Sequence, residues 1–217
     1  MSATIENGDF RQLSQSIADR SIDLILTDPP YPREYLPLWS DLADLAARVL
    51  RPGRFLIAYT GQMYLEDVMH ALSARLRYYW LGTLHHIGAV GTQHARRMMN
   101  AAKPILYYTN GEAVKHAYCY DYLKSPQRDK RFHHWGQSLG PVRYLVETFT
   151  RPGDLVLDPF TGGGTTALAC AQTGRRFLGY EIDPQTAERA RARLADFQPL
   201  LFDVSLSPTQ LSTDIYG

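Results

Sequence analysis

Short runs of Val, Ile and Leu alternate along this chain with segments of helical period, and that alternation limits the fold more than any other feature. Continuous apolar runs mark strands covered on both faces, and strands separated by helices pair in parallel. The runs predict strands at residues 4–6, 22–27, 54–59, 104–108, 155–157 and 177–180. Between the second and third, Leu38, Leu42, Leu45, Ala46 and Val49 recur at helical spacing, and Pro52-Gly53 is expected to end that helix. Residues 63–76 and 142–149 repeat the pattern, as do 165–172, stopped by Gly174, and 184–194, opened by Pro184. The fold class expected is α/β, with a largely parallel, doubly wound sheet.

The 217 residues suffice for one well-buried domain, read as residues 1–200 with an insertion at about 85–140 and a tail at 201–217. Net charge is only +1, so an anionic partner must be met by a local patch. Cys119 and Cys170 are the only cysteines and have no metal-ligand spacing, which argues against a disulfide framework or a structural metal and suits a reducing cytoplasm. With no basic and apolar leader at residues 1–10 and no run of about 20 apolar residues, a soluble cytoplasmic protein is expected.

Residues 85–140 lose clean periodicity and hold six of the seven histidines. Between Gly91 and Arg131 there are eight Lys or Arg against three Asp or Glu, interleaved with Tyr107, Tyr108, Tyr118, Tyr120 and Tyr122. On charge alone a solvated surface lobe is the better reading. The sharper one is a nucleic-acid-facing lobe, in which Arg96, Arg97, Arg128 and Arg131 meet phosphates and aromatic rings stack on bases.

In the stretch from Leu155 to Pro184, a strand ends in Asp158, Gly162-Gly163-Gly164 forms a turn, and Thr165-Thr166 opens a helix. Glycine serves where backbone takes positive φ or must approach a ligand, and a helix start offers unpaired N–H groups. The next strand ends in Glu181, about 20 residues past the loop, where doubly wound folds carry an acid for ribose hydroxyls. No Lys follows the glycines, which excludes a P-loop, and the spacing is not that of a dinucleotide site. Asp158 would repel a pyrophosphate but suits an ammonium or backbone amides. A cofactor with an amino-acid end, a ribose and an adenine meets all three features, and S-adenosylmethionine is that cofactor.

Asp28-Pro29-Pro30-Tyr31 follows another apolar strand and so falls at the carboxyl edge of the sheet, where open α/β folds bind ligands. The prolines fix φ and carry no N–H, so the Asp28 carboxylate and the Pro29 carbonyl can accept from one amino group. Tyr31 offers a face for stacking on a planar ring. Two acceptors pulling on an aromatic amine favour a tetrahedral nitrogen with its lone pair aimed at a methyl donor, a task of positioning and electrostatics.

"TDPPY" and "DPFTGGGTT" together resemble the DNA amino-methyltransferases, which make N6-methyladenine or N4-methylcytosine. The order, with the DPPY segment before the glycine loop, is similar to the beta-type, circularly permuted group, whose target-recognition segment lies between the two. The resemblance covers about residues 5–194. It implies a Rossmann-like, S-adenosylmethionine-dependent methyltransferase fold, DNA as partner and a flipped base. The middle segment is short for a recognition domain, which is read as a short or degenerate target or as help from a second subunit in a homodimer.

By resemblance, Asp28, Pro29, Pro30 and Tyr31 match the catalytic tetrapeptide. Asp158, Phe160, Gly162, Gly164 and Thr165 match the cofactor loop, Glu181 the ribose acid, and Asp9 and Phe10 of "NGDF" the segment beside the cofactor adenine. "HWGQS", from His134 to Ser138, lies where relatives read HPTQKP, with Ser138 and Leu139 in place of Lys and Pro. Asp before Pro-Pro-Tyr leans toward adenine. Three alternatives stay open at this point: cytosine N4, an RNA or protein-glutamine methyltransferase, and a nucleic-acid-binding protein that keeps the fold without catalysis.

Overall fold

A computed structural model describes residues 2–87, 91–125 and 138–197. The chain begins with β1 (Ala3–Asn7), α1 (Phe10–Leu13), β2 (Ile22–Thr27), α2 (Pro37–Val49), β3 (Leu50–Tyr59), α3 (Leu65–Ser73) and β4 (Arg77–His86). A small hairpin of β5 (Gly91–Gln93) and β6 (Met98–Asn100) follows, then β7 (Ala102–Thr109) and β8 (Tyr122–Ser125). The chain continues with α4 (Leu139–Phe149), β9 (Leu155–Asp158), α5 (Thr165–Thr173), β10 (Arg176–Glu181) and α6 (Pro184–Asp196).

Eight strands form one sheet in the order β1-β10-β9-β2-β3-β7-β4-β8. The first five pair in parallel, and β7 is antiparallel to both β3 and β4. Side chains of successive strand residues point to opposite faces, so each central strand feeds two cores. Leu24 and Leu26 of β2, with Phe55 and Ile57 of β3, pack against Val142, Leu145, Val146 and Ala167 of α4 and α5. Ile25, Leu56 and Ala58 face the other way, onto Trp39, Leu42 and Leu45 of α2 and Val68 and Leu72 of α3. This is the doubly wound α/β fold expected from the apolar runs.

Two local expectations change. Pro52-Gly53 does not end α2, which stops at Val49; β3 starts at Leu50 and runs through that dipeptide. Gly53 takes φ of 75° and donates its N–H to the Asn110 carbonyl at 2.6 Å, so the phrase bends a strand rather than closing a helix. On α2, Trp39 is buried whereas Leu38 lies at the margin of the core. The phrase Arg51-Pro52-Gly53 and its second copy, Arg151-Pro152-Gly153 followed by Asp154, meet in space. Arg51 and Arg54 pair with the buried Asp23 at 2.9 and 3.4 Å, and Arg54 reaches Asp154 of the second phrase at 3.6 Å. They join the amino ends of β2, β3 and β9, away from the edge where the motifs lie.

The strand β4 was not expected from the sequence, because its first half faces solvent and shows no alternation. Tyr78, Tyr79, Trp80 and Leu81 are exposed, while Leu84 is buried. Within residues 85–140, β7 and β8 join the main sheet and the β5–β6 hairpin stands apart as its own two-stranded sheet. Among the described residues, no helix is long and apolar enough to cross a membrane. Arg128, Arg131, His134 to Gln137 and the 201–217 tail lie outside the described residues.

Candidate active site

The two motifs end on neighbouring strands. β2 pairs in parallel with β9, Leu24 beside Val156 and Ile25 beside Leu157. One step further along, the Thr27 hydroxyl donates to Asp158 Oδ1 at 2.7 Å, fully buried. Asp28 and Asp158, 130 positions apart, thus stand at the same carboxyl edge.

Asp158 is held in a dry setting. Burial pushes its carboxyl up to about 6, against hydrogen bonds from Thr27, Thr166 and the Phe160 N–H that favour the charged form. The nearby Asp28 charge adds to the upward push. After Asp158 the loop turns sharply, with Thr161 N–H donating to the Tyr180 carbonyl at 2.9 Å and its hydroxyl to the Asp158 carbonyl at 3.0 Å.

The outer glycines of the loop serve different ends. Gly162 has φ of 51°, and a Cβ built there would come no nearer than 4.0 Å to any neighbour, so its face is open to a ligand. Gly164 has φ of 76° and caps α5, and its Cβ would press on Ala190 of α6 at 3.2 Å. That glycine lets two helices approach. Arg193 of α6 fixes the loop from behind, donating to the Gly163 carbonyl at 2.8 Å and to Thr165 Oγ1 at 3.1 Å.

Glu181 closes the loop from the next strand. Its Oε2 accepts from Gly162 N–H at 2.9 Å and its Oε1 from Asp183 N–H at 3.0 Å. The "NGDF" segment leaves β1 beside it, because Asn7 pairs with Glu181 in register and its amide donates to the Glu181 carbonyl at 2.8 Å. Phe10 is buried against Phe160, ring centroids 5.0 Å apart. Asp9 caps α1 by accepting from Arg11 N–H at 2.9 Å, and the Arg11 side chain beside it holds the carboxyl below its usual range.

Around Asp28 the structure adds residues that sequence reasoning missed. The Tyr31 hydroxyl donates to Asp28 Oδ1, and Lys103 Nζ donates to Asp28 Oδ2 at 2.7 Å. Lys103 also lies 4.9 Å from the Tyr31 ring centroid and 5.2 Å from that of Tyr59. Gly61 lies against Tyr31, where a Cβ would meet its Cβ and ring at 3.3 to 3.5 Å. The Tyr59 hydroxyl is buried without a hydrogen-bond partner among the described residues. Its ionisation is pushed far up by burial first and then by the charges of Asp28 and Asp158. An orphan hydroxyl in the field of two carboxylates, beside an open glycine turn, fits a polar ligand lying across the ends of β2, β3 and β9.

Arg96 and Arg97 lie between the strands of the β5–β6 hairpin, which leads through Ala101 into β7 at the same edge of the sheet. Arg97 takes φ of 51°, and Met98 and Met99 beside it are exposed. Among the described residues no cluster of His, Cys, Asp or Glu could hold a metal ion.

The fold, with its one reversed strand between β3 and β4, is shared with solved DNA methyltransferases. The chain superposes on the cytosine-N4-specific PvuII DNA methyltransferase with a TM-score of 0.79 at 16% identity, covering 95% of this chain and 89% of that one. It superposes on the complex of M1.HpyAVI with its cofactor SAM with a TM-score of 0.73 at 23% identity, covering 89% and 99%. The profile of the DNA methylase family matches residues 138–192, which span α4, the glycine loop, β10 and most of α6. The type II methyltransferase M.BglII of Bacillus subtilis is 25% identical over 86% of this chain and 67% of its own length. Over that segment the chain resembles the DNA methylase family, and over most of its length it resembles type II methyltransferases.

Proposed function

We propose that this chain is a beta-type DNA methyltransferase that moves a methyl group from S-adenosylmethionine to the exocyclic amine of a flipped base, adenine N6 above all. The observation that carries the reading is the Thr27–Asp158 hydrogen bond, because it joins the strand that ends in the acceptor motif to the strand that ends in the glycine loop.

The donor set fits the cofactor at each of its parts. Asp158 and the open face of Gly162 suit the amino-acid end, Glu181 accepts from the ribose hydroxyls, and Phe10 with Phe160 borders the adenine. When bound, the cofactor supplies an electrophilic sulfonium methyl. Asp28 and the Pro29 carbonyl accept the two N–H bonds of the target amine and turn its lone pair toward that methyl. Tyr31, braced by Gly61, stacks on the base and offsets part of the few kcal/mol that flipping costs. Arg96 and Arg97 of the β5–β6 hairpin meet the phosphates, a role also assigned from the sequence to Arg128 and Arg131.

Asp rather than Ser before Pro-Pro-Tyr favours adenine, and the likeness to the cytosine-N4-specific PvuII enzyme supports the second reading, cytosine N4. Incubation with methyl-labelled S-adenosylmethionine and unmethylated mixed-sequence DNA, followed by nucleoside analysis, separates the two. Labelled N6-methyldeoxyadenosine is expected. Labelled N4-methyldeoxycytidine would replace the base assignment, and unlabelled DNA would overturn the enzymatic reading.

A further inference from the structure

Lys103 belongs to neither motif, yet its ammonium lies where the acceptor amine has to go. It donates to Asp28 Oδ2 at 2.7 Å and sits over the Tyr31 and Tyr59 rings, while the Tyr31 hydroxyl takes the other carboxylate oxygen. Both oxygens of Asp28 are therefore engaged within the chain. The pair is well shielded, with side chains only 14% and 25% exposed, so the carboxylate and the ammonium stabilise each other in a poorly hydrated cage.

We propose that Lys103 is a placeholder for the substrate amine: its ammonium fills the acceptor position in the base-free protein and withdraws as the base enters. This rests on the methyltransferase reading above. Transfer builds positive charge on the attacking nitrogen, which Asp28 must stabilise. An ammonium 2.7 Å from Asp28 cancels that effect and also repels a sulfonium, so the closed pair is incompatible with transfer. A lysine suits the task because its flexible four-carbon stem lets a compact charge leave without moving the strand. The reversed direction of β7 brings Lys103 to this edge, since its amino end lies beside the carboxyl ends of its neighbours. The apparent affinity for the base is then lowered by the fraction of molecules in which the pair is closed.

The test uses the full chain with Lys103→Met and Lys103→Ala. Lys103→Met is expected to lower KM for mixed-sequence DNA severalfold without lowering kcat. In Lys103→Ala, n-propylammonium, which replaces the deleted stem and charge, is expected to inhibit competitively against DNA, whereas n-propanol does not. A raised KM, a kcat lowered tenfold or more, or no competition by n-propylammonium overturns the placeholder. A second measurement needs no turnover and no variant that folds. The ammonium resonance of Lys103 in 15N-lysine-labelled wild-type protein is expected to lose its slow exchange when DNA is added. Its persistence in the DNA complex overturns the proposal even if methyl transfer occurs, whereas unlabelled DNA with the wild-type chain counts against the enzymatic reading itself.

Discussion

The Thr27 hydroxyl donates to the Asp158 carboxylate across 2.7 Å in a buried setting, and this contact joins two segments 131 residues apart in the chain. It places the acid that opens the glycine loop one residue away from the acid of the acceptor motif. The two loops that carry the candidate site thus start from the ends of adjacent strands, the kind of anchoring that positional catalysis would require.

Removing that hydroxyl should be felt in both stability and protonation. Thr27→Val keeps the shape and leaves a buried carboxylate with one donor fewer, a change that costs about 1 to 3 kcal/mol. Urea unfolding should report the loss at pH 8. Because the Thr27 bond favours the charged form, the carboxyl of Asp158 in the variant should titrate above about 6. Unaltered stability and titration would mean that the contact is not formed in solution.

The raised Asp158 carboxyl makes two pH dependences of opposite sign. Its folded value of about 6 exceeds the ordinary 3.8, so the native state favours the protonated acid. The corresponding stability, on the order of 3 kcal/mol for such a shift, is present below about pH 4 and is lost as pH rises through about 6. Affinity for the cofactor's ammonium needs the charged form and should rise over the same window. Asp158→Asn should flatten both curves, as followed by chemical unfolding and by calorimetric titration.

The two halves of the site should separate under mutation. Asp28→Asn is expected to cut methyl transfer by about two orders of magnitude, the scale of one preorganised electrostatic contact, with cofactor binding retained. Glu181→Gln is expected to weaken cofactor binding by about 1 to 3 kcal/mol, since Glu181 both braces Gly162 and faces the proposed ribose position. Equal effects of the two changes on cofactor affinity would contradict this division of labour.

Gly179 ties β10 to the loop by having no side chain. A Cβ there would collide with Thr161 Oγ1 and come within 2.6 Å of the Phe177 ring. Gly179→Ala should therefore lower stability by about 1 to 3 kcal/mol through overpacking and should weaken cofactor binding by shifting Thr161. Gly162→Ala meets open space and only backbone strain, so its unfolding should change by about 1 to 2 kcal/mol at most. Thermal unfolding ranks the two.

Much of this molecule was legible in the chain itself. Apolar runs with period 2 on their two faces wrote the central strands, because each had to feed a core above and below the sheet. Asp28 to Tyr31 and Asp158 to Glu181 were legible because strand ends, prolines and glycines leave local marks. The strand β4 left no such mark, since the side chains of its first half stay exposed on both faces and show no alternation. Lys103, Tyr59, Gly61 and Gly179 were silent for another reason: each acts through a neighbour brought by strand order. Sequence alone determined which residues end strands and which loops carry acids and glycines, since those are short-range matters of periodicity and backbone freedom. Only the tertiary structure decided that β7 runs backwards and sets a lysine against Asp28, because pairing direction depends on contacts that no local stretch of chain encodes.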